Sequence, residues 1–136
     1  MNTSDIYKFI FHDEKLEVIF KGVFSADNYN LERNGIYIVN IDKSSLPGTH
    51  WVAYYVADGL IEFFDSYGKN GNAYKLINGN VFNNVVLQSN FTSCGYYCLY
   101  YSFLRCRGFS LNKIANTLMR YDSDKYVYSI VMKHFS

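Results

Sequence analysis

Residues 94–106, CGYYCLYYSFLRC, constrain the fold more than any other part of the chain. The segment is apolar on nearly every side, is long enough for a helix, and is followed by Gly108, a residue type that commonly ends helices. A helix with apolar side chains all round belongs inside a protein, so we predict that this one packs against a sheet. Thr92 or Ser93 is positioned to cap its first turn.

Three runs rich in β-branched and aromatic residues predict strands at positions 36–41, 51–57 and 60–65. The last two are joined by Asp58-Gly59, and an Asp-Gly pair between two apolar runs is a strong signal for a two-residue hairpin turn. A shorter strand is predicted at residues 85–87.

The rest of the chain predicts helices near both ends. The expected segments are a first helix from Ser4 or Asp5 to about His12, an extended or irregular stretch at 16–24, and helices at 111–119 and 125–135, the last capped by Ser123 or Asp124. Helix, then strands, then helices predicts an α+β fold. We expect one domain over residues 1–136, with a central mixed or antiparallel sheet, the buried helix and flanking helices.

Composition narrows the classes of function. The 136 residues are 49% hydrophobic, which suits one compact domain, expected to be a monomer. A formal charge of +1 gives little support for strong nucleic-acid binding. No apolar run approaches the roughly 18 residues of a membrane span, and the polar N-terminus shows no signal peptide. The three cysteines, all within residues 94–106, predict reduced thiols in an intracellular protein.

The hairpin turn decides which side chains share a face of the sheet. With a two-residue loop at Asp58-Gly59, Asp65 faces Val52 across the two strands. His50 lies two residues before Val52, on the same face, at the diagonal spacing of about 7–8 Å from which a histidine reaches a carboxylate. A carboxylate in that place fixes the imidazole tautomer and stabilises the imidazolium.

Cys94 is the candidate for a third member of this site. It begins the buried helix, where backbone N–H groups and the helix dipole favour a thiolate, and a nearby protonated histidine lowers the thiol pKa further. Gly95 leaves room for a substrate backbone to come close. Gln88, six residues upstream of Cys94, can direct its side-chain amide at a developing oxyanion, together with the Cys94 backbone N–H.

Each of these residues also has an ordinary structural explanation. A lone histidine such as His50 is more often a surface or hydrogen-bonded core residue, Asp65 before a turn more often caps it, and a cysteine entering an apolar helix is usually inert. A metal site made of His50, Cys94 and Cys98 lacks a fourth ligand and the paired Cys-x-x-Cys spacing, so no metal is expected.

The candidates lie in short motifs with a characteristic order along the chain. The motifs are Gly48-Thr49-His50-Trp51, then Phe64-Asp65-Ser66-Tyr67-Gly68, then Gln88 and, six residues on, Cys94-Gly95-Tyr96-Tyr97-Cys98. They resemble the active-site blocks of the adenovirus-type proteases (adenains), within the wider group that includes the SUMO-specific, Ulp-type proteases. The order His, Asp, Gln, Cys is that group's order and differs from that of papain, in which Cys comes first. The first helix and residues 19–24 also resemble the adenain N-terminus, so the similarity covers most of the chain.

The resemblance implies a role for each matched position. Cys94 would be the nucleophile, His50 the general base and acid, and Asp65 the residue that orients His50. Gln88 would donate to the oxyanion, and Trp51 would shield the imidazole and border the substrate. The family cleaves precursor proteins after small residues, typically glycine, in a narrow cleft. Membership would also imply a virus or virus-like element as the source, acting in the host nucleus or the virion.

Adenain is stimulated by DNA and by a small viral peptide joined through a cysteine. All three cysteines here lie at or after Cys94, so none matches that linkage, and the charge is near neutral. We therefore expect no cofactor, a protein substrate as the partner, and DNA as a partner only through the resemblance.

Two other functions are open at this point. The first is a Ulp-type isopeptidase acting on ubiquitin-like proteins, although this small chain lacks obvious insertions for gripping such a partner. The second is a catalytically dead binding module, which would need neither the triad nor Gln88.

The protease hypothesis requires a defined geometry. One ring nitrogen of His50 must lie within hydrogen-bonding reach of Asp65, and the other must face the Cys94 sulfur at about 3–4 Å. The Gln88 amide must lie on the same side as the Cys94 backbone N–H, with space between them for a carbonyl oxygen.

Overall fold

The structure, a computed structural model, describes residues 1–135. Its helices are α1 (Thr3–Ile10), α2 (Glu14–Ile19), α3 (Cys94–Arg105), α4 (Leu111–Leu118) and α5 (Ser123–Phe135). Its strands are β1 (Phe20–Phe24), β2 (Gly35–Asn40), β3 (Trp51–Ala57), β4 (Leu60–Phe64) and β5 (Val81–Phe82), with a 3-10 turn at Gly71–Tyr74 between β4 and β5.

The five strands form one mixed sheet in the order β1-β2-β3-β4-β5. The central strands β2, β3 and β4 pair with one another in antiparallel fashion, whereas β1 runs parallel to β2 and β5 runs parallel to β4. Helices precede and follow the sheet in the chain, so the predicted α+β class, with a mixed sheet and flanking helices, is confirmed.

The hairpin between β3 and β4 has the predicted two-residue loop. Ala57 pairs with Leu60 and Ala53 pairs with Phe64. The loop residues, Asp58 (φ 51°) and Gly59 (φ 84°), both have positive φ, as the primed turns that match the sheet twist require. This register puts the residue before β3 and the residue after β4 at the same end of the hairpin and on one face.

Helix α3 is the central helix of the core, as its apolar sequence predicts. Tyr97, Leu99 and Tyr101 are fully buried, and the helix contacts β3 of the sheet on one side and α5 on another. The Tyr101 ring stacks on Phe64 of β4, with ring centroids 4.6 Å apart. The helix ends just before Gly108, whose φ of 89° reverses the chain.

Residues 16–24 were expected to be extended or irregular: residues 20–24 are extended, as β1, whereas residues 16–19 belong to α2. The Asp13 carboxylate accepts the Leu16 backbone N–H at 3.1 Å and so caps α2, a signal that the polar composition of the segment concealed. At the N-terminus, Asn2 rather than Ser4 or Asp5 is the N-cap of α1, and Asp5 completes a capping box with it.

The strand predicted at residues 85–87 is wrong. The segment is irregular because the backbone N–H groups of Leu87 and Gln88 both donate to one acceptor, the Ser66 carbonyl, at 2.8 and 3.0 Å, and no ladder develops. The short strand lies earlier, at β5. Within residues 1–135, no helix is both long and apolar enough to cross a membrane.

Candidate active site

His50 and Asp65 meet at the end of the β3–β4 hairpin. His50 directly precedes β3 and Asp65 directly follows β4, and the distance from His50 Nε2 to Asp65 Oδ1 is 2.7 Å. The two residues are 5% and 0% exposed, so this contact is shielded from water. The hydrogen bond on Nε2 leaves Nδ1 as the ring nitrogen for the second contact of His50, which is with Cys94.

The Asp65 carboxylate is surrounded by donors. Besides His50, Oδ1 accepts the Tyr67 backbone N–H at 3.1 Å. Oδ2 accepts the Lys69 backbone N–H at 3.1 Å and the Tyr74 hydroxyl at 2.5 Å. Burial alone would raise the pKa of Asp65, but the hydrogen bonds from His50 and Tyr74 outweigh it, and the pKa is lowered. Asp65 is therefore an anion at neutral pH.

The imidazole of His50 is held between an acid and a thiol. Burial lowers the pKa of His50, but hydrogen bonds with Asp65 and Cys94 raise it more, to about 9. The Tyr67 ring stacks on the imidazole, with centroids 4.7 Å apart, and the Tyr74 ring lies at 5.6 Å. His50 is therefore an imidazolium at neutral pH, with its ring plane fixed.

Cys94 is the first residue of α3 and is 7% exposed. Burial raises the pKa of its thiol, but the hydrogen bond with His50 and the backbone N–H groups of Trp51 and Gly95 lower it below the ordinary value. Cys98 and Cys106 behave in the opposite way, because burial raises the pKa of both thiols. The structure thus favours a thiolate–imidazolium pair at one of the three cysteines.

The sequence predicts that Thr92 or Ser93 caps the start of α3, and this prediction is wrong. Ser93 occupies the N-cap position, but its side chain makes no capping hydrogen bond. Instead, the Asn90 side-chain oxygen accepts the backbone N–H groups of Thr92 and Ser93, each at 3.0 Å. Asn90 therefore stabilises the turn that precedes Cys94 and helps to set the position of that residue.

Gln88 is buried beside this turn, and both ends of its amide are held. Its Oε1 accepts the Ser66 hydroxyl, and its Nε2 donates to the Asn90 carbonyl at 2.6 Å. The bond to Asn90 uses one of the two hydrogens on Nε2. The side chain is thus locked in one orientation between the residue that follows Asp65 and the turn that precedes Cys94.

A cleft of about 380 Å³ opens beside Cys94. It is lined by residues 1–3, by the turn between β2 and β3, and by the Phe91-Thr92 stretch. The Trp51 indole N–H donates to the Met1 carbonyl at 3.0 Å, so the predicted neighbour of the imidazole also anchors the N-terminus. The space next to Gly95 holds the Met1 side chain, since a Cβ there would lie 2.6 Å from the Met1 sulfur.

Sequence reasoning missed three residues that support the site: Tyr67, Tyr74 and Asn83. Asn83 brackets the Asp65 backbone, accepting its N–H at 3.0 Å and donating to its carbonyl at 2.7 Å. Tyr67 carried a signal, because it follows Asp65 by two residues in a turn closed by Gly68. No pattern in the sequence pointed to Tyr74 or Asn83, because only the folded course of residues 66–83 brings them close to Asp65.

In comparisons with known proteins, no family model matches the chain and no curated protein matches it. In the part of the chain that the structure describes, no three His, Cys, Asp or Glu side chains are grouped to hold a metal ion.

Because its pKa is lowered, Cys94 should react with iodoacetamide much faster than Cys98 or Cys106 near neutral pH, as mass spectrometry of the labelled peptides would show. His50→Ala should move the labelling of Cys94 to higher pH, because the largest stabilising contact of the thiolate is lost. Cys106→Ser should leave the rate at Cys94 unchanged. Equal labelling of the three thiols would contradict the assignment of the thiolate.

Under the protease hypothesis, the raised pKa of His50 predicts that turnover falls above about pH 9, where the imidazolium loses its proton. In Asp65→Asn the negative charge is gone, so the His50 pKa should fall and this alkaline limb should move to lower pH. Turnover should also drop, by up to about 10⁴-fold, as when the orienting carboxylate of a triad is removed. Asp58→Asn, at the exposed hairpin turn, makes the same charge change and should alter neither property. An unmoved limb in Asp65→Asn would contradict the role of Asp65.

Proposed function

We propose that this protein is a cysteine endopeptidase with His50, Asp65 and Cys94 as its triad and Gln88 as an oxyanion donor. The observation that carries the proposal is the buried arrangement of three side chains: His50 is hydrogen-bonded to Asp65 at 2.7 Å and to Cys94, which begins α3. The lowered pKa of Cys94 and the raised pKa of His50 agree with this arrangement. A thiolate held in a nearly buried site is a ready nucleophile, whereas a buried charge contributes nothing evident to core packing.

The proposed reaction begins with attack of the Cys94 thiolate on the substrate carbonyl carbon. The carbonyl oxygen becomes an oxyanion, stabilised by the second hydrogen of Gln88 Nε2 and by the Cys94 backbone N–H. As the C–N bond breaks, the proton on His50 moves to the leaving amine, and the acyl group stays on Cys94 as a thioester. Neutral His50 then takes a proton from water, which attacks the thioester and releases the acid.

The substrate class we propose is a protein chain in extended conformation. The cleft beside Cys94 has apolar contacts to offer, notably Phe91, which is 88% exposed although it is a large aromatic residue. Cleavage after small residues, typically glycine, in viral or virus-like precursor proteins is the finer proposal, and it rests on the resemblance to the adenovirus-type proteases. The host nucleus or the virion as the place of action rests on the same resemblance.

The proposal predicts cleavage of a peptide library by the full chain and no cleavage by Cys94→Ser, with mass spectrometry reading the cut sites. Ubiquitin-like fusion proteins, tested in parallel, separate peptidase from isopeptidase activity, and added DNA tests for activation. Cuts that cluster after glycine in the library support the endopeptidase. Cutting of the fusions alone would favour the isopeptidase, and a library left intact by the wild-type chain would favour a binding module.

Gln88→Ala should lower kcat by roughly 10²–10³-fold, the usual cost of losing one oxyanion donor. The rate of Cys94 alkylation should not change, because the Gln88 side chain bonds to Ser66 and Asn90, whereas the Cys94 pKa is lowered chiefly by His50 and by backbone N–H groups. Val86→Ala, at an exposed position two residues earlier, is the matched control and should keep full turnover. Full turnover in Gln88→Ala would remove Gln88 from the mechanism.

A further inference from the structure

The carboxylate of Asp124, in the first turn of α5, is buried against the segment that carries Gln88. Both of its oxygens accept the Ser89 backbone N–H at 3.1 Å, and Oδ2 also accepts the Asn90 backbone N–H at 2.9 Å. The Tyr97 hydroxyl of α3 donates to Oδ1 at 2.7 Å. Asp124 is 8% exposed, so a carboxylate from the last helix is enclosed by donors from two other parts of the chain.

Asn90 connects this carboxylate to both halves of the proposed catalytic machinery. Its backbone N–H donates to Asp124, its carbonyl accepts Gln88 Nε2, and its side chain accepts the N–H groups of Thr92 and Ser93 at the start of α3. The position of the Asn90 backbone therefore sets the direction of the Gln88 amide. Asp124 is the charged group that holds that backbone.

A second set of hydrogen bonds fixes the other side of Gln88. The Ser123 hydroxyl donates to the Leu87 carbonyl at 2.7 Å, and the Tyr97 hydroxyl lies 2.7 Å from the Ser123 hydroxyl and 3.1 Å from the Leu87 carbonyl. Together with Asp124, these contacts restrain the backbone on both sides of Gln88. The first turn of α5 thus acts as a clamp on residues 87–90.

We infer that Asp124 is a positioning residue of the oxyanion site, acting on Gln88 through the Asn90 backbone. The inference rests on the proposed function, since it needs an oxyanion for Gln88 to stabilise. It assigns to α5, the last helix of the chain, a part in turnover that is separate from nucleophile activation. Asp124 is hydrogen-bonded to Ser89, Asn90 and Tyr97, whereas the Cys94 pKa is lowered chiefly by His50 and by backbone N–H groups.

The experiment is a double-mutant cycle with Asp124→Asn and Gln88→Ala, measured as kcat on the best library peptide. In Asp124→Asn, one neutral amide oxygen remains to accept the Ser89 and Asn90 N–H groups, and an NH2 group replaces the oxygen that accepts the Tyr97 hydroxyl. The Asn90 backbone should then be held less firmly, so the Gln88 amide is misdirected and kcat should fall about 10–10²-fold. The double variant should turn over no more than about 3-fold more slowly than Gln88→Ala alone, because both changes disable the same donor. In Asp124→Asn, Cys94 alkylation should slow much less than kcat falls, because the His50 and Trp51 contacts that lower the thiol pKa come from the start of β3 and not from Asn90.

Asp122→Asn makes the same charge change at an exposed position in the same segment and should leave kcat unchanged. Losses that multiply in the double variant, or an alkylation rate that falls as far as kcat does, would overturn the inference. If Asp124→Asn does not fold, Tyr97→Phe removes one donor to Asp124 and should show a smaller loss with the same non-additivity. A wild-type chain that cleaves nothing defeats the proposed function itself, whereas multiplying losses in an active enzyme defeat only the role of Asp124.

Discussion

A carboxylate buried away from water stays ionised only when donors surround it, and Asp65 has four: the imidazole of His50, the hydroxyl of Tyr74 and two backbone N–H groups. This anion raises the His50 pKa, and the resulting imidazolium in turn lowers the Cys94 pKa. The carboxylate makes the largest contribution that raises the His50 pKa, and the contact with Cys94 adds to it, while the backbone N–H groups of Trp51 and Gly95 help to lower the Cys94 pKa. Asn83 is hydrogen-bonded to both the N–H and the carbonyl of Asp65, so the loop after β4 fixes the position of the carboxylate as well as its charge.

The residue after Asp65 extends this control to the other side of the site. Ser66 accepts the backbone N–H groups of Leu87 and Gln88 on its carbonyl, and its hydroxyl donates to the Gln88 amide oxygen. Asp65 therefore holds the proposed base, His50, and the next residue, Ser66, holds the proposed oxyanion donor, Gln88. A shift of the chain at this point would move both at once, so the register of the β3–β4 hairpin governs the whole site.

The parts of this structure that could be predicted from sequence were those with a local cause. The two-residue turn at Asp58-Gly59 sets the pairing that places His50 beside Asp65, and the apolar run at 94–106 must form a buried helix. The six-residue helix α2 was missed because it buries one residue, Leu16, and so shows no helical periodicity of hydrophobic residues. Asp124 could not be assigned a partner in advance, since its contacts with the Gln88 segment lie more than 30 positions away and depend on how α5 packs.

The reactivity of Cys94 belongs to the folded protein and not to its own segment. Two of the groups that lower its pKa, the His50 side chain and the Trp51 backbone N–H, come from the start of β3, far earlier in the chain. Before α3 docks on the sheet, the thiol has the ordinary pKa of about 8.5 and is mostly protonated at neutral pH. During synthesis, the nascent chain therefore carries a cysteine of ordinary reactivity. The lowered pKa of Cys94 therefore arises only when packing brings α3 and the β3–β4 hairpin together.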